Sequence, residues 1–299
     1  MAYLRAFRTT DLDALLEVHN AAAAPEAGQL PTSRAALEKA WRGGDLWVAE
    51  VEGRVVGYGG LRPWPGAGWL QAELVVHPTW RGQGVGGTLL RRLVREARRR
   101  GATDLAAVAG DGPEGSNRFL AHYGFELYVL RQHMRLWPVV VPAVEPVAGF
   151  GVRPAALAES AALADISNAA YGPGDRTGLA DAAGYRRYII ESGVRVWVAE
   201  RLEGPRLVAL CEVRERETAL DGRPVASGHI ASLAVHPAWQ GRGLGRWLLV
   251  TGIEDCRRTG WPTVELNVDR DNVPALRLYE SAGFRPVYRY AVYRLHLGA

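Results

Sequence analysis

The chain has 299 residues, of which 48% are hydrophobic and 23% are charged, and its formal net charge is +4. This length exceeds the ~100 to 200 residues of a typical domain, and the composition excludes a disordered chain. Only two cysteines are present, Cys211 and Cys256, and neither belongs to a CxxC or Cys/His pattern, which argues against a disulfide framework and against a zinc site. We expect a globular protein with two domains and no bound metal.

Partners and location follow from the same composition. No run of about 18 apolar residues and no signal-peptide pattern occurs, so the sequence predicts a cytoplasmic protein without a membrane segment. Basic residues are spread along the chain, which disfavours a nucleic-acid partner. The densest run, "RRLVREARRR" at 91–100, carries the apolar stripe of a helix, so its arginines are expected on the solvated helix face.

Landmarks of the first part of the chain recur in the same order in the second part. The matched pairs are Arg8 with Arg153, "LWVAE" at 46–50 with "VWVAE" at 196–200, "HPTWRGQGVG" at 77–86 with "HPAWQGRGLG" at 236–245, and "YGF" at 123–125 with "AGF" at 282–284. The offset between matched residues grows to 159 at the glycine loops, so the second copy is predicted to contain a longer hairpin around "ERETALDGRPVASG". The sequence therefore predicts an internal duplication, whose copies we call the first half and the second half.

A segment with three prolines, "WPVVVPAVEPVAG" at 137–149, lies between the copies. Proline cannot donate a ladder hydrogen bond and favours an extended chain, so this segment is predicted to be a linker. We predict domains at 1–138 and 150–299, joined by a proline-rich linker at 139–149.

Each copy predicts the same series of elements: a strand, two helices, three further strands, a glycine loop that opens a helix, a fifth strand, another helix and closing strands. In the second half the strands are predicted at "VRVWVAER", "RLVALCEVRE", "HIASLAVH" and "TVELNV". The helices "LGRWLLVTGIEDCRRT" and "NVPALRLYESA" are each followed by a glycine, Gly260 or Gly283, the residue favoured at the end of a helix. The predicted fold class is mixed α/β.

The glycine loop is predicted to bind an anion. A strand that ends in a glycine-rich turn and opens a helix leaves backbone N–H groups unpaired at the positive end of the helix dipole, which suits phosphate. Gly241 and Gly243 let a ligand approach the backbone, and Gln240 and Arg242 are expected to contact it from the side. The spacing is neither that of a P-loop nor GxGxxG. The alternative, a tight turn that needs glycine, is disfavoured because the pattern occurs twice.

The loops spell [R/Q]xxGxG at Arg81, Gly84 and Gly86 and again at Gln240, Gly243 and Gly245, a signature that resembles the GNAT acyltransferase superfamily. The closing segment "NVDRDNVPALRLYESAGF" also resembles that family. The resemblance implies two tandem GNAT domains, each a mixed, mostly antiparallel sheet flanked by helices, with acetyl-CoA as cosubstrate. It assigns cosubstrate binding to Val75, Val76, Arg81, Gly82, Gln83, Gly84, Val85 and Gly86 in the first half, and to Leu233, Ala234, Val235, Gln240, Gly241, Arg242, Gly243, Leu244, Gly245, Arg246 and Asn272 in the second.

The chemistry that the resemblance implies is direct attack of an amine on the thioester, assisted by a base and by an acid that protonates the leaving thiolate. Tyr279 is the predicted acid, and its alternative interpretation is an ordinary core aromatic. The offset of 159 matches Tyr279 with Leu120 and Asn272 with Pro113. The first half is therefore expected to bind CoA without efficient turnover, although Glu73 on its fourth strand is placed to orient an amine.

His229 is the predicted base, since it can take a proton near neutral pH. Strict alternation would place it on one face of its strand with Ala231, Leu233 and Val235, and Ser232 on the other. An ordinary histidine at the start of a strand is the alternative, and Glu265 and Asp269 are weaker candidates. His77 and His236, both in "VHP", are interpreted as structural.

Among tandem GNAT proteins the layout most resembles the mycothiol synthases, which acetylate the cysteinyl amine of a sugar-linked thiol precursor. The likeness rests on "AELVVHP", "QHMRLWP", "NAAYG", "QGRGLG" and the closing motif. The sequence departs at His229, where an acidic residue is expected, and in "PGDRTGLADAAGYRRY". A general amine acetyltransferase for a small molecule or peptide and a non-catalytic CoA sensor or scaffold are the alternatives. The expected assembly is a monomer, as an intramolecular pseudo-dimer, or a homodimer.

Overall fold

A computed structural model describes residues 2–23, 31–42, 45–64, 68–110, 116–172, 181–204 and 206–298. Among the helices of these ranges, none has both the length and the apolar character needed to cross a membrane. The same residues contain no group of three or more His, Cys, Asp or Glu side chains that could hold a metal ion. Pro113, the predicted counterpart of Asn272, lies outside the described residues.

Twelve strands and eight α-helices are formed by the described residues. The strands are β1 Tyr3–Ala6, β2 Asp45–Val51, β3 Arg54–Pro63, β4 Trp69–Val76, β5 Asp104–Gly110, β6 Glu126–Leu136, β7 Phe150–Pro154, β8 Arg195–Arg201, β9 Leu207–Leu220, β10 Arg223–Val235, β11 Val264–Asp269 and β12 Arg285–His296. The helices are α1 Leu12–Ala22, α2 Arg34–Trp41, α3 Val85–Arg99, α4 Ser116–His122, α5 Ser160–Tyr171, α6 Ala182–Ser192, α7 Leu244–Thr259 and α8 Val273–Ser281.

All twelve strands belong to one sheet, in the order β1-β2-β3-β4-β5-β12-β6-β11-β10-β9-β8-β7. Two neighbouring pairs, β4 with β5 and β10 with β11, are parallel, and the other pairs are antiparallel. The predicted α/β class, with a mixed, mostly antiparallel sheet flanked by helices in each half, is confirmed.

The two halves exchange their closing strands. β12, from the second half of the sequence, pairs with β5, while β6, from the first half, pairs with β11. β6 and β12 also pair with each other along the centre of the sheet. The buried side chains follow this exchange, because Met134 of β6 lies in the core of the second half and Leu297, just after β12, lies in the core of the first. The boundaries at 138 and 150 remain a prediction about the sequence, whereas each folded half contains one strand of the other.

The helices cover both faces of the sheet. α1 and α2 pack on one face of the first half, and α5 and α6 pack on the same face of the second, which we call the front face. α3 with α4, and α7 with α8, pack on the back face. The central strands on the front face therefore lie between the two pairs of front helices.

The parallel strands of each half separate partway along their length. β10 pairs with β11 only from Gly228 to Ile230, although β10 continues to Val235 and β11 to Asp269. β4 likewise pairs with β5 only from Trp69 to Ala72. Beyond these points one edge of β10 and of β4 faces a gap instead of a strand. Backbone groups at such an edge need other partners, so each gap is a natural place for a ligand.

The hairpin of β9 and β10 is longer than its counterpart in the first half, as predicted. β9 has 14 residues and β10 has 13, against 10 and 8 for β3 and β4. Its tight turn uses Asp221 and Gly222, both with positive φ, the pattern expected of a two-residue hairpin turn. The extension reaches the first half, where the Ser33 hydroxyl donates to Glu217 at 3.2 Å.

The predicted match between Arg8 and Arg153 is wrong. Arg153 on β7 pairs with Glu159 at 2.7 Å and with Glu200 at 2.8 Å. Arg5 on β1 makes the corresponding pair of contacts with Asp11 and Glu50. Strand pairing decides the match, because Arg5 lies opposite Val48 and Arg153 lies opposite Val198. The residues that follow Arg8 and Arg153 are similar, but the two arginines are not at equivalent positions.

The strand exchange predicts which half of the fold a core mutation destabilises first. Met134 has no exposed surface and belongs to the core of the second half, so Met134→Ala should remove about 2 to 5 kcal/mol of stability through the cavity that it leaves. Hydrogen exchange measured by mass spectrometry should then speed up in β10 and α7 before β2 and β3. The reverse pattern is expected for Leu297→Ala, which serves as the control. Loss of protection confined to the first half in Met134→Ala would contradict the exchange.

Candidate active site

The loop between β10 and α7 has the geometry of an anion-binding turn. After Val235, the His236 side chain accepts a hydrogen bond from the N–H of Ala238 at 3.2 Å and so caps a short turn. Gly241 and Gly243 follow with φ of 75° and 87°, a region that only glycine enters without strain. His77 caps the equivalent turn in the first half, so the structural interpretation of both histidines is confirmed.

The first turn of α7 presents unpaired donors. The N–H of Trp247 is the first to bond back along the chain, to the carbonyl oxygen of Gly243 at 3.0 Å. Within the described ranges, no group accepts from the N–H groups of Leu244, Gly245 and Arg246. A Cβ built on Gly241 would meet no atom within 4 Å, so the space outside the loop is open. Three donors converge on open space at the positive end of a helix, which suits a phosphate group.

The first half repeats this arrangement. α3 begins after Gly84, whose φ is 81°, and the N–H of Thr88 bonds to its carbonyl oxygen at 3.1 Å. The amides of Val85, Gly86 and Gly87 find no acceptor in the part of the chain that the structure describes. A Cβ on Gly82 or Gly84 would also project into open space.

Side chains predicted to contact the ligand make hydrogen bonds that hold the loop. The Gln240 amide donates to the carbonyl oxygen of Val235 at 3.0 Å, and the Arg81 guanidinium donates to that of Val76 at 3.2 Å. The structure therefore gives the first residue of [R/Q]xxGxG a bracing role between strand and loop. Gln83 similarly donates to the backbone of Thr79, and the guanidinium of Arg242 lies 4.8 Å from the ring of Trp239.

The strand residues of the predicted site divide by the direction of their backbone groups. Leu233 turns both its N–H and its carbonyl oxygen into the gap beside β11, where the hydroxyl of Tyr171 bonds to both. Since antiparallel ladders alternate, Val235 also faces the gap, whereas Ala234 faces β9. In the first half Val76 faces the gap and Val75 faces β3.

Tyr279 on α8 is 8% exposed and lies in the core of the second half against Phe284. Its hydroxyl bonds to no described residue, and burial, together with the nearby Tyr171 and Cys211, raises the pKa of the phenol above its usual value. The phenol is therefore protonated at neutral pH. Leu120 occupies the matching place on α4, buried in the core of the first half, as the sequence predicts.

Asn272 caps α8. Its side chain accepts a hydrogen bond from the N–H of Ala275 at 3.2 Å. This cap fixes the start of the helix that carries Tyr279.

His229 does not share a face with Leu233 and Val235, and the alternation assumed for this strand is wrong. The register of β10 shifts between Ile230 and Ser232, which is a β-bulge at Ala231. His229 lies opposite Arg214 and Ser232 lies opposite Glu212, two positions apart on β9. His229 and Ser232 are therefore both on the front face.

His229 is 3% exposed, and its Nδ1 atom has no hydrogen-bond partner among the described residues. Burial lowers the pKa of the imidazole well below 6.5, and the nearby Arg216, Arg214 and His133 lower it further. The ring is therefore neutral at neutral pH.

The weaker candidates for the base are held in ion pairs. Glu265 accepts from Arg135 at 2.7 Å and from Thr218 at 2.9 Å. Burial raises its pKa, but the hydrogen bond and charge of His133 and the charge of Arg135 outweigh that effect and lower the pKa overall. Asp269 pairs with Arg131 at 2.9 Å. The lowered pKa makes Glu265 a poor proton acceptor in this setting.

Sequence reasoning missed Glu212. It is buried on β9, accepts hydrogen bonds from Tyr185 and from Tyr188, the latter at 3.0 Å, and lies opposite Ser232. Burial raises the pKa of this carboxyl. One acidic residue inside the apolar run "LVALCEV" was the available signal. In the first half a carboxylate fills the same region from the neighbouring strand, because Glu73 lies opposite Gly60.

The amino-acid sequence matches a known protein family in both halves. The profile of the Acetyltransferase (GNAT) family matches residues 14–125 and 161–284. The chain belongs to the GNAT acetyltransferase family. Its two matched segments place one GNAT repeat in each half, as predicted, and family membership makes the chain an N-acetyltransferase.

Curated relatives are similar over nearly the whole GNAT chain. A mycothiol acetyltransferase of Thermomonospora curvata is 32% identical over 284 residues, covering 91% of this chain and 88% of the relative. One of Nocardia farcinica is 30% identical over 290 residues, covering 92% of this chain and 91% of the relative.

Solved structures agree on the fold. A GCN5-related N-acetyltransferase from Sphaerobacter thermophilus superimposes with a TM-score of 0.78 at 22% identity, covering 100% of this chain and 96% of that one. A tandem GNAT protein from the clavulanic acid biosynthesis pathway gives 0.75 at 20% identity, covering 100% and 99%. The tandem GNAT architecture predicted from the sequence is confirmed.

The buried His229 predicts acid sensitivity of the fold. Below its ordinary value of 6.5 the unfolded chain binds a proton at this imidazole and the folded chain does not, so acidification favours unfolding. One such group removes about 1.4 kcal/mol of stability per pH unit. Between about pH 7 and about pH 5, the free energy of unfolding of His229→Gln should therefore fall by about 2 kcal/mol less than that of wild type, measured by chemical denaturation. His122→Gln, at an exposed position, is the control, and equal pH dependence of His229→Gln and wild type would contradict the assignment.

Proposed function

We propose that this GNAT acetyltransferase transfers an acetyl group from acetyl-CoA to the primary amine of a small molecule or peptide, and that the second half is catalytic. One juxtaposition supports this most: the unpaired amides that begin α7, the gap beside β10 and the phenol of Tyr279 all belong to the same half. The first half has the amides and the gap, but Leu120 stands where a phenol would be.

The residues fit the cosubstrate. The amides of Leu244, Gly245 and Arg246 would hold the pyrophosphate. The edge of β10 would hold the pantetheine arm at Val235 and the thioester at Leu233 by backbone hydrogen bonds. Acetyl-CoA supplies the acetyl group as a thioester. The equivalent amides of Val85 to Gly87 support a second binding site for CoA in the first half, with no efficient turnover there.

The reaction forms a bond between the amine nitrogen and the carbonyl carbon and breaks the bond from that carbon to sulfur. The nitrogen loses one proton and the departing thiolate gains one. Tyr279 is the proposed donor to sulfur, since its phenol is protonated at neutral pH.

His229 is the proposed acceptor of the amine proton, directly or through water. Its neutral state and its free Nδ1 atom support this role. The cationic Arg216 and Arg214 lower the pKa of this imidazole and so weaken it as a base, but the same charges lower the pKa of a bound ammonium and favour the neutral amine. Glu212 is the rival, although phenol donors already contact both of its carboxylate oxygens.

A mycothiol-type acceptor is the second candidate. The relatives of about 30% identity that align over nine-tenths of the chain are named mycothiol acetyltransferases, which favours the cysteinyl amine of a sugar-linked thiol precursor. Histidine at position 229 and the different segment after "NAAYG" favour another amine. Mass spectrometry of the acetylated product should be used to compare that precursor with a panel of amines, because a thiol acceptor interferes with assays of released CoA.

The CoA assignment is tested at the start of each helix. Gly243→Asp would place a negative charge and a strained residue beside the amides of α7, so calorimetry should show acetyl-CoA affinity reduced by at least about tenfold in the second half. Gly84→Asp makes the same change at α3 and should affect only the first-half site. If Gly243→Asp leaves turnover unchanged and Gly84→Asp abolishes it, the halves have been assigned in the wrong order.

The acid is tested by removing one oxygen. Tyr279→Phe should lower kcat by about 100- to 10,000-fold, the usual contribution of a positioned acid, while acetyl-CoA affinity and thermal stability change little. Tyr123→Phe removes a phenol after the matching helix of the first half, where it contacts Arg91, and should leave kcat unchanged. Equal kcat for wild type and Tyr279→Phe, measured at saturating amine, would exclude this tyrosine as the acid.

A further inference from the structure

Tyr171 occupies the gap beside β10. It is the last residue of α5, and its hydroxyl donates to the carbonyl oxygen of Leu233 at 2.9 Å and accepts from the N–H of the same residue at 3.3 Å. The hydroxyl oxygen of Ser232 lies 3.2 Å from the hydroxyl oxygen of Tyr171. One phenol therefore bonds to both backbone groups of Leu233, which have no strand partner once β10 separates from β11.

The first half does not have this phenol. In the aligned segments "HNAAA" at 19–23 and "SNAAY" at 167–171, Tyr171 is matched by Ala23. Leu74 is the strand counterpart of Leu233, and no described side chain bonds to its backbone groups. The phenol is thus a feature of the half that carries Tyr279.

The N–H of Leu233 is a donor for which two acceptors would compete. A buried amide that loses its partner costs about 1 to 3 kcal/mol, so the free protein gains from the contact with Tyr171. A thioester carbonyl oxygen held at the edge of β10 would need the same N–H, because it is the donor nearest the strand separation that faces the gap. The phenol and the thioester carbonyl therefore cannot both bond to it.

We propose that Tyr171 is a specificity residue that occupies the Leu233 amide until the carbonyl oxygen of an acyl thioester displaces it. This inference rests on the proposed function. It implies that Tyr171 weakens the binding of acetyl-CoA more than that of CoA, because free CoA has no thioester carbonyl oxygen to displace the phenol from this amide. In the absence of Tyr171, the unsatisfied amide of the free protein would draw in the acylated form.

Tyr171→Phe in the full chain isolates this effect, because the ring stays and only the hydrogen bonds are lost. Calorimetry should show acetyl-CoA binding tightened about 3- to 10-fold, as expected for one net hydrogen bond, with CoA affinity changed less than about 2-fold. In steady state, KM for acetyl-CoA should fall while kcat stays within about 2-fold. Tyr188→Phe is the matched control, since it removes a phenol that bonds to Glu212 and does not touch Leu233.

The outcomes separate this inference from the proposed function. An unchanged ratio of acetyl-CoA to CoA affinity in Tyr171→Phe, with both ligands bound by wild type, would overturn the role of Tyr171 alone. Binding of neither ligand by wild type would overturn the proposed function as well. If Tyr171→Phe does not fold, Tyr171→Ala reproduces the first-half residue and should change the ratio in the same direction, and failure of that shift counts equally against the inference.

Discussion

The separation of β10 from β11 after Ile230 is the constraint on which the candidate site depends. Parallel pairing ends there while both strands continue, so the edge of β10 must find partners other than a strand. The Gln240 side chain donates a hydrogen bond to the carbonyl oxygen of Val235, and the Tyr171 hydroxyl bonds to both the N–H and the carbonyl oxygen of Leu233. The same edge leads directly into the loop whose amides face open space. Strand separation, glycine turn and helix start together make one continuous backbone surface.

Exchange of the closing strands makes each half dependent on the other. β6 supplies Met134 and Leu136 to the core of the second half, and it is the neighbour of β11 throughout that strand. The first half therefore contributes a strand to the fold of the second. In the folded chain β6 is the partner of β11, and β12 pairs with the other side of β6, so the second half depends on the first for this pairing.

Local features were predictable from the sequence, and features that join distant residues were not. The φ of Gly243, the caps at His77 and His236, and the position of Leu120 depend on a few neighbouring residues or on a constant offset. The bulge at Ala231 shifts the face of His229 by one position, and its register is visible only against β9. The strand exchange is a choice between β6 and β12, whose apolar patterns fit either half. The partners of Glu212 come from a helix more than twenty residues earlier, so no spacing rule predicts them.

The two halves also differ on the front face, as they do at Tyr279 and Leu120. On the parallel strands of the second half, Glu265 lies opposite His229. At the same place in the first half, Ala106 lies opposite Gln71. Val108 likewise stands where Asn267 stands, one strand from the centre. An amine buried against Ala106 and Val108 would lose its hydration without hydrogen-bond partners, which costs free energy. Beside His229 and Asn267 it would meet acceptors. The half with Tyr279 is thus also the half with the more polar front face at these positions.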